Sequence, residues 1–86
     1  MQKVTMYTSS YCPYCVMAKT LLRQKGVKEV EEVRIDTDAQ MYKQMMEKTG
    51  LRSVPQIFIG ETHVGGFDKL NALHRAGKLE ALLNGE

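Results

Sequence analysis

The only two cysteines of the chain lie three residues apart, in the segment Cys12-Pro13-Tyr14-Cys15. A Cys-x-x-Cys pair that opens a helix after a strand is typical of thiol–disulfide redox sites. Residues three apart on a helix share one face, at a Cα separation that a disulfide bond tolerates. The pair can therefore be linked or reduced with little backbone movement, and the pattern predicts exchange between thiols and disulfides.

The two sulfurs are expected to differ because only Cys12 lies at the start of the helix. With Cys12 at the N-cap and Pro13 at the first helical position, the N–H groups of Tyr14 and Cys15 should point toward the Cys12 sulfur. These donors and the helix dipole favour a thiolate, so we expect the pKa of Cys12 to fall below the free-thiol value of about 8.5. Cys15 lies one turn further along, against the core, without such donors. We predict that Cys12 is the nucleophile and Cys15 the resolving thiol.

Two other uses of a Cys-x-x-Cys segment fit this sequence less well. Zinc would need two more ligands, and the two histidines, His63 and His74, are too widely separated for the usual spacing of about 3–5 intervening residues. We therefore expect no metal and interpret both histidines as surface residues. A purely structural disulfide would close a very short loop, which adds little constraint to the unfolded chain.

Alternation and helical spacing of apolar residues predict the order β-α-β-α-β-β-α. The predicted strands are residues 3–7, Val30–Ile35, Gln56–Ile59 and Thr62–Val64. The predicted helices are Cys12 to Lys25, a segment from a Thr37/Gln40 capping box to about Lys48, Asp68 to Ala76, and a last turn at Leu79–Leu83. This order predicts an α/β fold in which a four-stranded mixed sheet is flanked by helices on both faces.

Apolar residues at helical spacing identify the faces that should be buried. In the first helix these residues are Cys15, Ala18, Leu21 and Leu22. In the second they are Tyr42, Met45 or Met46, and Thr49, and in the third Leu70 and Leu73. Glycines are predicted to end the three helices, at Gly26, Gly50 and Gly77.

Length and composition indicate one small domain spanning residues 1–86, with 43% hydrophobic and 26% charged residues. The net charge of +2 comes from interleaved basic and acidic residues, which favours a solvated surface over a nucleic-acid site. No apolar run approaches the roughly 20 residues of a membrane span, and the N-terminus lacks the apolar region of a signal peptide. A cysteine pair that works reduced suits the cytoplasm, which is the expected location.

A second group of motifs lies further along the chain, in Arg52-Ser53-Val54-Pro55-Gln56-Ile57-Phe58-Ile59 and Gly65-Gly66-Phe67-Asp68. Together with Cys12-Pro13-Tyr14-Cys15, in this order and spacing, they closely resemble the glutaredoxin family, in particular its short bacterial-type dithiol members. The resemblance covers nearly the whole chain and implies a thioredoxin-like fold. Thioredoxin itself fits less well, because the chain has no tryptophan and has Pro-Tyr between its cysteines.

The resemblance implies a glutathione site formed by these motifs. It implies a cis Val54–Pro55 bond beside Cys12, with the Val54 backbone pairing with the cysteinyl part of glutathione as an added strand. Pro55 could instead simply begin an edge strand. The site residues that the resemblance implies, besides the cysteines, are Tyr14, Arg52, Ser53, Val54, Pro55, Gly66, Phe67 and Asp68.

Several of these residues also have a simpler interpretation. Asp68 could bind the ammonium group of the γ-glutamyl end, or serve as the N-cap of the third helix, or both. Arg52 could meet the glycyl carboxylate or remain solvated. Tyr14 could flank glutathione or cover the disulfide as a surface aromatic. The pair Gly65-Gly66 could admit a ligand close to the backbone or support an unusual φ.

The chain departs from the family pattern at three positions. Ser9 stands where many members have lysine, which removes a positive charge near Cys12 and leaves thiolate stabilisation to the helix terminus. Ser53 stands where threonine is usual, so a hydroxyl is kept. Phe67 stands where many members have cysteine or tyrosine, which removes a third cysteine and its side disulfides.

The predicted function is that of a glutathione-dependent thiol–disulfide oxidoreductase that reduces protein disulfides and protein–glutathione mixed disulfides. Glutathione is the expected co-substrate, with no metal or prosthetic group, and the chain is expected to be a monomer. The family implies client proteins such as ribonucleotide reductase. Two alternatives are a redoxin reduced by thioredoxin reductase and a scaffold that binds an iron–sulfur cluster between two chains through Cys12 and glutathione.

Overall fold

The structure, a computed structural model, describes all 86 residues. Its elements are β1 (Val4–Thr8), α1 (Pro13–Gln24), β2 (Val30–Arg34), α2 (Ala39–Thr49), β3 (Gln56–Ile59), β4 (Thr62–Gly65), α3 (Phe67–Arg75) and α4 (Leu79–Leu83). Every predicted element is present in the predicted order, and the ends differ by no more than one residue. None of the helices is both long and apolar enough to cross a membrane.

The four strands form one mixed sheet in the order β2-β1-β3-β4. Strand β1 pairs in parallel with β2, to which α1 connects it, and antiparallel with β3, while β3 and β4 form an antiparallel hairpin. The predicted thioredoxin-like fold, a four-stranded mixed sheet flanked by helices, is confirmed. Strand β3 lies inside the sheet, so the interpretation of Pro55 as the start of an edge strand is wrong.

One face of the sheet carries the main core. Side chains alternate along a strand, so Val4 and Met6 of β1 share a face with Ile57 and Ile59 of β3. These four residues are at most 1% exposed and belong to a cluster with buried residues of α1, α3 and α4. The predicted stripe of α1 lies in this cluster, as Cys15, Ala18, Leu21 and Leu22.

The opposite face of the sheet packs against α2. Tyr7 points to this face, and its hydroxyl donates to Oε1 of Gln44 on α2 at 2.5 Å. The ring of Tyr7 also meets that of Phe58 edge-on, with ring centroids 6.1 Å apart. Helices therefore cover both faces, as predicted.

Helix α2 differs from its prediction in its first cap and in its buried face. Its N-cap is Asp38, whose side chain accepts from the amide of Gln40 at 3.0 Å, so the Thr37 capping box is wrong. An aspartate is at least as good an N-cap as a threonine, and here it lies one residue closer to the helix. Only Met45 is buried, while Tyr42, Met46 and Thr49 are half-buried, because the helix covers a single outer face of the sheet.

Candidate functional site

The two cysteines form a disulfide at the start of α1, with their Cα atoms 5.1 Å apart. Cys12 is the N-cap and Pro13 the first helical residue, as predicted. Cys12 is 9% exposed and Cys15 is 2% exposed, so Cys15 is the sulfur that lies deeper in the core. This asymmetry agrees with the predicted placement of the two sulfurs.

The hydrogen bonds at Cys12 come from the first turn of α1. The amide of Cys15 donates to Sγ of Cys12 at 3.1 Å, and the amides of Cys15 and Val16 donate to its carbonyl oxygen at 3.0 and 3.2 Å. The amide of Tyr14 donates to neither atom, so one of the two predicted donors to the sulfur is present. This agrees with the geometry of caps, in which the side chain of the N-cap accepts from the second or third helical residue.

A cavity of about 320 Å³ is lined by Tyr14, which lies between the two cysteines in the sequence, although neither cysteine lines it. It joins the start of α1, the segment before β3 and the junction of β4 with α3. Its lining residues are Tyr14, Ser53, Val54, Pro55, Gly66, Phe67 and Asp68. The structure thus brings together seven of the eight residues predicted to surround glutathione, and the eighth, Arg52, is exposed and does not line the cavity. Val54 and Phe67 also pack against the cluster that contains both cysteines.

The segment before β3, which lines this cavity, contains unpaired backbone groups. The Val54–Pro55 bond is cis, as the resemblance implies. Neither the N–H nor the C=O of Val54 forms a hydrogen bond within the protein. Buried or partly buried peptide groups are nearly always paired, so this free pair of donor and acceptor stands out as a place where an extended ligand could bind.

The first turn of α3 forms the opposite wall of the cavity. The first intrahelical bond runs from the amide of Leu70 to the carbonyl of Gly66 at 3.1 Å. The amides of Phe67, Asp68 and Lys69 precede it and have no partner within the helix, which makes this end favourable for an anion. Gly66 is the N-cap and no side chain caps the helix, so Asp68, its second residue, is not the N-cap.

The two glycines before α3 have different roles in the structure. Gly65 has a φ of +111°, which side chains other than hydrogen rarely tolerate. Gly66 has an ordinary extended backbone, but a Cβ there would stand 3.5 Å from the carbonyl oxygen of Pro55 and 3.2 Å from Oδ1 of Asp68. Gly65 therefore provides the positive φ before α3. Gly66 leaves free the space that a Cβ would fill next to Pro55 and Asp68 in the cavity wall.

Two aromatic rings form one side of the cavity. Tyr14 is 60% exposed, and its ring stacks on that of Phe67 with centroids 6.2 Å apart and an interplanar angle of 26°. Phe67 is half-buried and so fixes the more exposed ring of Tyr14 beside the disulfide. Stacked aromatic surface of this kind can cover a bound peptide-like ligand as well as the disulfide itself.

The sequence does not reveal a hydrogen-bonded group of three residues, Gln56, Ser53 and His63, at the wall of the cavity. The buried amide of Gln56 donates to the carbonyl oxygen of Ser53 at 3.0 Å and lies 3.3 Å from the Ser53 hydroxyl. Its oxygen lies 2.8 Å from Nε2 of His63, whose ring stacks on Phe58. Nothing in the local pattern reveals these contacts, since Gln56 reads only as a polar residue at the start of an apolar strand.

A second set of hydrogen bonds that the sequence does not reveal joins the loop before Cys12 to the end of β2. The carboxylate of Asp36 accepts from the amide of Ser10 at 3.0 Å, from the Ser10 hydroxyl, and from Nε of Arg34 at 2.9 Å. The hydrogen bonds from Arg34 and then Ser10 hold the pKa of Asp36 well below its usual range. The alternation of β2 predicts the strand but not this contact across 26 residues.

The histidines are only partly as predicted. His63 is exposed, but Nδ1 of the half-buried His74 is buried and has no hydrogen-bond partner, so His74 is not a simple surface residue. No three histidine, cysteine or carboxylate side chains come together closely enough to hold a metal ion.

Comparisons with known proteins give a consistent result. A sequence profile described as glutaredoxin matches residues 4–64. A glutaredoxin of Neisseria meningitidis is 55% identical over 84 residues, which are 98% of this chain and 99% of that protein. Glutaredoxin 3 of Escherichia coli is 46% identical over 83 residues, covering 96% of this chain and 99% of that protein. The crystal structure of a buckwheat glutaredoxin–glutathione complex superposes with a TM-score of 0.87 at 31% identity, over 98% of this chain and 78% of that chain.

Proposed function

The chain belongs to the glutaredoxin family, whose members are thiol–disulfide oxidoreductases, and we propose that its exchange chemistry depends on glutathione, with Cys12 as nucleophile and Cys15 as resolving thiol. Protein–glutathione mixed disulfides and protein disulfides are the proposed substrates. One observation supports this function above all: Val54, whose backbone N–H and C=O have no partner, and the uncapped start of α3 line one cavity together with Tyr14, which lies between the two cysteines.

With a protein–glutathione mixed disulfide, the reaction needs only Cys12. Its thiolate attacks the glutathione sulfur, a Cys12–glutathione disulfide forms, and the protein thiolate leaves and takes up a proton. A second glutathione thiolate then attacks the glutathione sulfur. Glutathione disulfide leaves and the Cys12 thiolate is regenerated. The amide of Cys15 stabilises the negative charge on Sγ at both stages, which makes Cys12 both a good nucleophile and a good leaving group.

With a protein disulfide, Cys15 is also required. Cys12 attacks one substrate sulfur and forms a mixed disulfide with the protein, releasing the other substrate sulfur as a thiol. Cys15 then loses its proton and attacks the Cys12 sulfur, which frees the second substrate sulfur and closes the Cys12–Cys15 disulfide. Its Cα separation of 5.1 Å lies within the ordinary range for disulfides, so closure requires little backbone movement. Two glutathiones reopen this bond and leave together as glutathione disulfide.

Glutathione is proposed to lie across the cavity as a short extended peptide. Its cysteinyl backbone pairs with the N–H and C=O of Val54, which form no bond within the protein. Its γ-glutamyl carboxylate accepts from the free amides at the start of α3, and its ammonium group lies near the carboxylate of Asp68. Tyr14 flanks the sulfur end of the ligand. The buckwheat glutaredoxin was crystallised as a complex with glutathione, and its structural similarity supports this arrangement.

We further propose that residues 1–86 act as one domain and as a monomer in the cytoplasm, where glutathione keeps thiols reduced. Disulfide-forming enzymes such as ribonucleotide reductase are the proposed class of clients. The single domain rests on the length of the chain, the location on a cysteine pair that works reduced, and the clients on the resemblance to the family.

Turnover of a glutathionylated peptide by glutathione and glutathione reductase tests the proposal. Wild type should be active, Cys12→Ser should fall to background, and Cys15→Ser should keep deglutathionylation while losing the reduction of a protein disulfide. The matched reaction with thioredoxin reductase as the sole reductant should be much slower. Activity that survives in Cys12→Ser, or that runs equally well without glutathione, would contradict the proposal.

A further inference from the structure

Gln56 is a buried polar residue whose side-chain amide hydrogen-bonds to Ser53 in the wall of the cavity at one end and to His63 on β4 at the other. It is 2% exposed, and a buried amide without partners would be costly. Its Nε2 donates to the carbonyl oxygen of Ser53 at 3.0 Å, and its Oε1 lies 2.8 Å from Nε2 of His63. The side chain thus reaches back three residues, from β3 to the segment that forms the cavity.

The orientation of this amide follows from the chemistry of its neighbours. A carbonyl oxygen can only accept, so the group that faces Ser53 must be the NH₂ end of Gln56. The oxygen end then faces His63, which must donate. His63 therefore carries a hydrogen on Nε2. Its ring is held in place by stacking on Phe58, with centroids 4.9 Å apart. Both ends of the amide are fixed, one by a carbonyl and the other by an imidazole N–H.

The bond to Ser53 also sets the direction of the next N–H along the chain. The carbonyl of Ser53 and the N–H of Val54 belong to the same peptide plane. The only cis bond of the chain is Val54–Pro55, so the Ser53–Val54 bond is trans, and its C=O and N–H point in opposite directions. Because the carbonyl points to Gln56, the N–H of Val54 points away from it. This is the N–H that has no partner within the protein, in a residue that lines the cavity.

We propose that Gln56 is a positioning residue for glutathione: by holding the Ser53 carbonyl, it aims the N–H of Val54 at the peptide backbone of the ligand. His63 contributes by donating to Oε1 of Gln56, which fixes the orientation of the Gln56 amide. This role rests on the proposed function, in which glutathione is the ligand. Gln56 itself does not line the cavity, so it acts only through Ser53 and Val54. The hydroxyl of Ser53 is a second hydrogen-bond partner of Gln56 Nε2, at 3.3 Å.

The kinetic test is Gln56→Met, which keeps the length of the side chain but removes its hydrogen bonds. Gln44→Met is the matched control, because Gln44 also bonds to a side chain on this face of the sheet, Tyr7, and has no contact with Ser53. Gln56→Met should raise KM for a glutathionylated peptide at least about fivefold, equivalent to ~1 kcal/mol, with kcat changed less than about twofold. The rate at which iodoacetamide alkylates Cys12 should stay within about twofold of wild type.

Three results are separable in this experiment. If wild type turns over but Gln56→Met has the same KM as Gln44→Met, the positioning role is wrong and the proposed function stands. If kcat and alkylation of Cys12 fall together with no change in KM, the substitution has disturbed the cysteine, and the role is again wrong. If wild type shows no turnover that depends on glutathione, the proposed function fails, and the positioning role fails with it.

A second measurement does not depend on catalysis or on the folding of a variant. In nitrogen-15-labelled wild type, the neutral ring of His63 should carry its hydrogen on Nε2, and the side-chain amide hydrogens of Gln56 should exchange slowly with water. Both signals follow from the fixed orientation of the amide. A ring protonated on Nδ1 instead, or a Gln56 amide that exchanges as fast as that of an exposed glutamine, would overturn the proposal.

Discussion

The substitution Gly66→Ala separates ligand binding from folding at the start of α3. The backbone of Gly66 is extended, with φ −86° and ψ −171°, a conformation that alanine adopts without strain. The added methyl would stand 3.5 Å from the carbonyl oxygen of Pro55 and 3.2 Å from Oδ1 of Asp68. All three residues line the cavity, so the methyl occupies space at its wall. The exposed side chain of Asp68 can rotate to relieve the closer contact.

The expected increase in KM follows from the hydrogen bond to glutathione that the added methyl group would obstruct. A hydrogen bond to a charged acceptor contributes about 1.5–3 kcal/mol, and each ~1.4 kcal/mol is a factor of ten in binding. Losing one bond between a glutathione carboxylate and the first amides of α3 should therefore raise KM about tenfold to a hundredfold. The free energy of unfolding should change by less than about 1 kcal/mol, because no buried contact is lost.

Gly65→Ala is the matched control, one residue earlier. Gly65 has a φ of +111°, and its Cβ would meet Lys69 at 3.1 Å, outside the cavity lining. A side chain in such a conformation costs about 1–3 kcal/mol. Urea unfolding and steady-state kinetics on both variants should therefore show opposite patterns, with stability lost in Gly65→Ala and KM raised in Gly66→Ala. An unchanged KM in a folded Gly66→Ala protein would refute the assignment of this wall to glutathione.

Two further predictions concern stability. Arg34 and Ser10 hold the pKa of Asp36 below its ordinary value of 3.8, so its carboxylate stabilises the fold above that pH and the contribution is lost as the pH falls. Asp36→Asn should lower the urea midpoint at neutral pH, with a difference from wild type that shrinks toward about pH 2 and in high salt; a constant difference would contradict this. Met45→Ala should cost about 2–5 kcal/mol, because Met45 is completely buried, while the half-buried Met46 should tolerate alanine with a clearly smaller loss of thermal stability; equal losses would contradict the packing described.

The elements of the fold could be predicted from the sequence because their signals are local. Strand β3 is an apolar run after a proline, α1 carries a stripe at helical spacing, and Gly26 and Gly50 stand at positive φ where helices end. The sequence does not distinguish Thr37 from Asp38 as the cap of α2, since both residue types are good N-caps; the structure has Asp38. The strand order and pairing also depend on contacts between distant segments, which single-sequence periodicity does not contain.

The site was predictable as a set of motifs but not as a network. The cysteine spacing identifies the redox pair, and of the eight further residues that the resemblance implies, the fold brings all but Arg52 to one cavity. The contact of Gln56 with His63 depends on how β3 and β4 pair, its contact with Ser53 depends on the turn at the cis Val54–Pro55 bond, and the bonds of Asp36 reach across 26 residues to Ser10. The periodicity of apolar residues contains none of these side-chain partners.

The most direct test of the central claim is to identify the sulfur that accepts glutathione. Cys15→Ser protein should be mixed with a glutathionylated peptide, quenched with acid, digested and examined by mass spectrometry. We predict one glutathione per chain, attached to Cys12, because Cys12 is the more exposed sulfur and accepts a hydrogen bond from the amide of Cys15. The reciprocal Cys12→Ser protein should take up none. A glutathione adduct on Cys15 in that variant, formed as fast as the adduct on Cys12, would contradict the account.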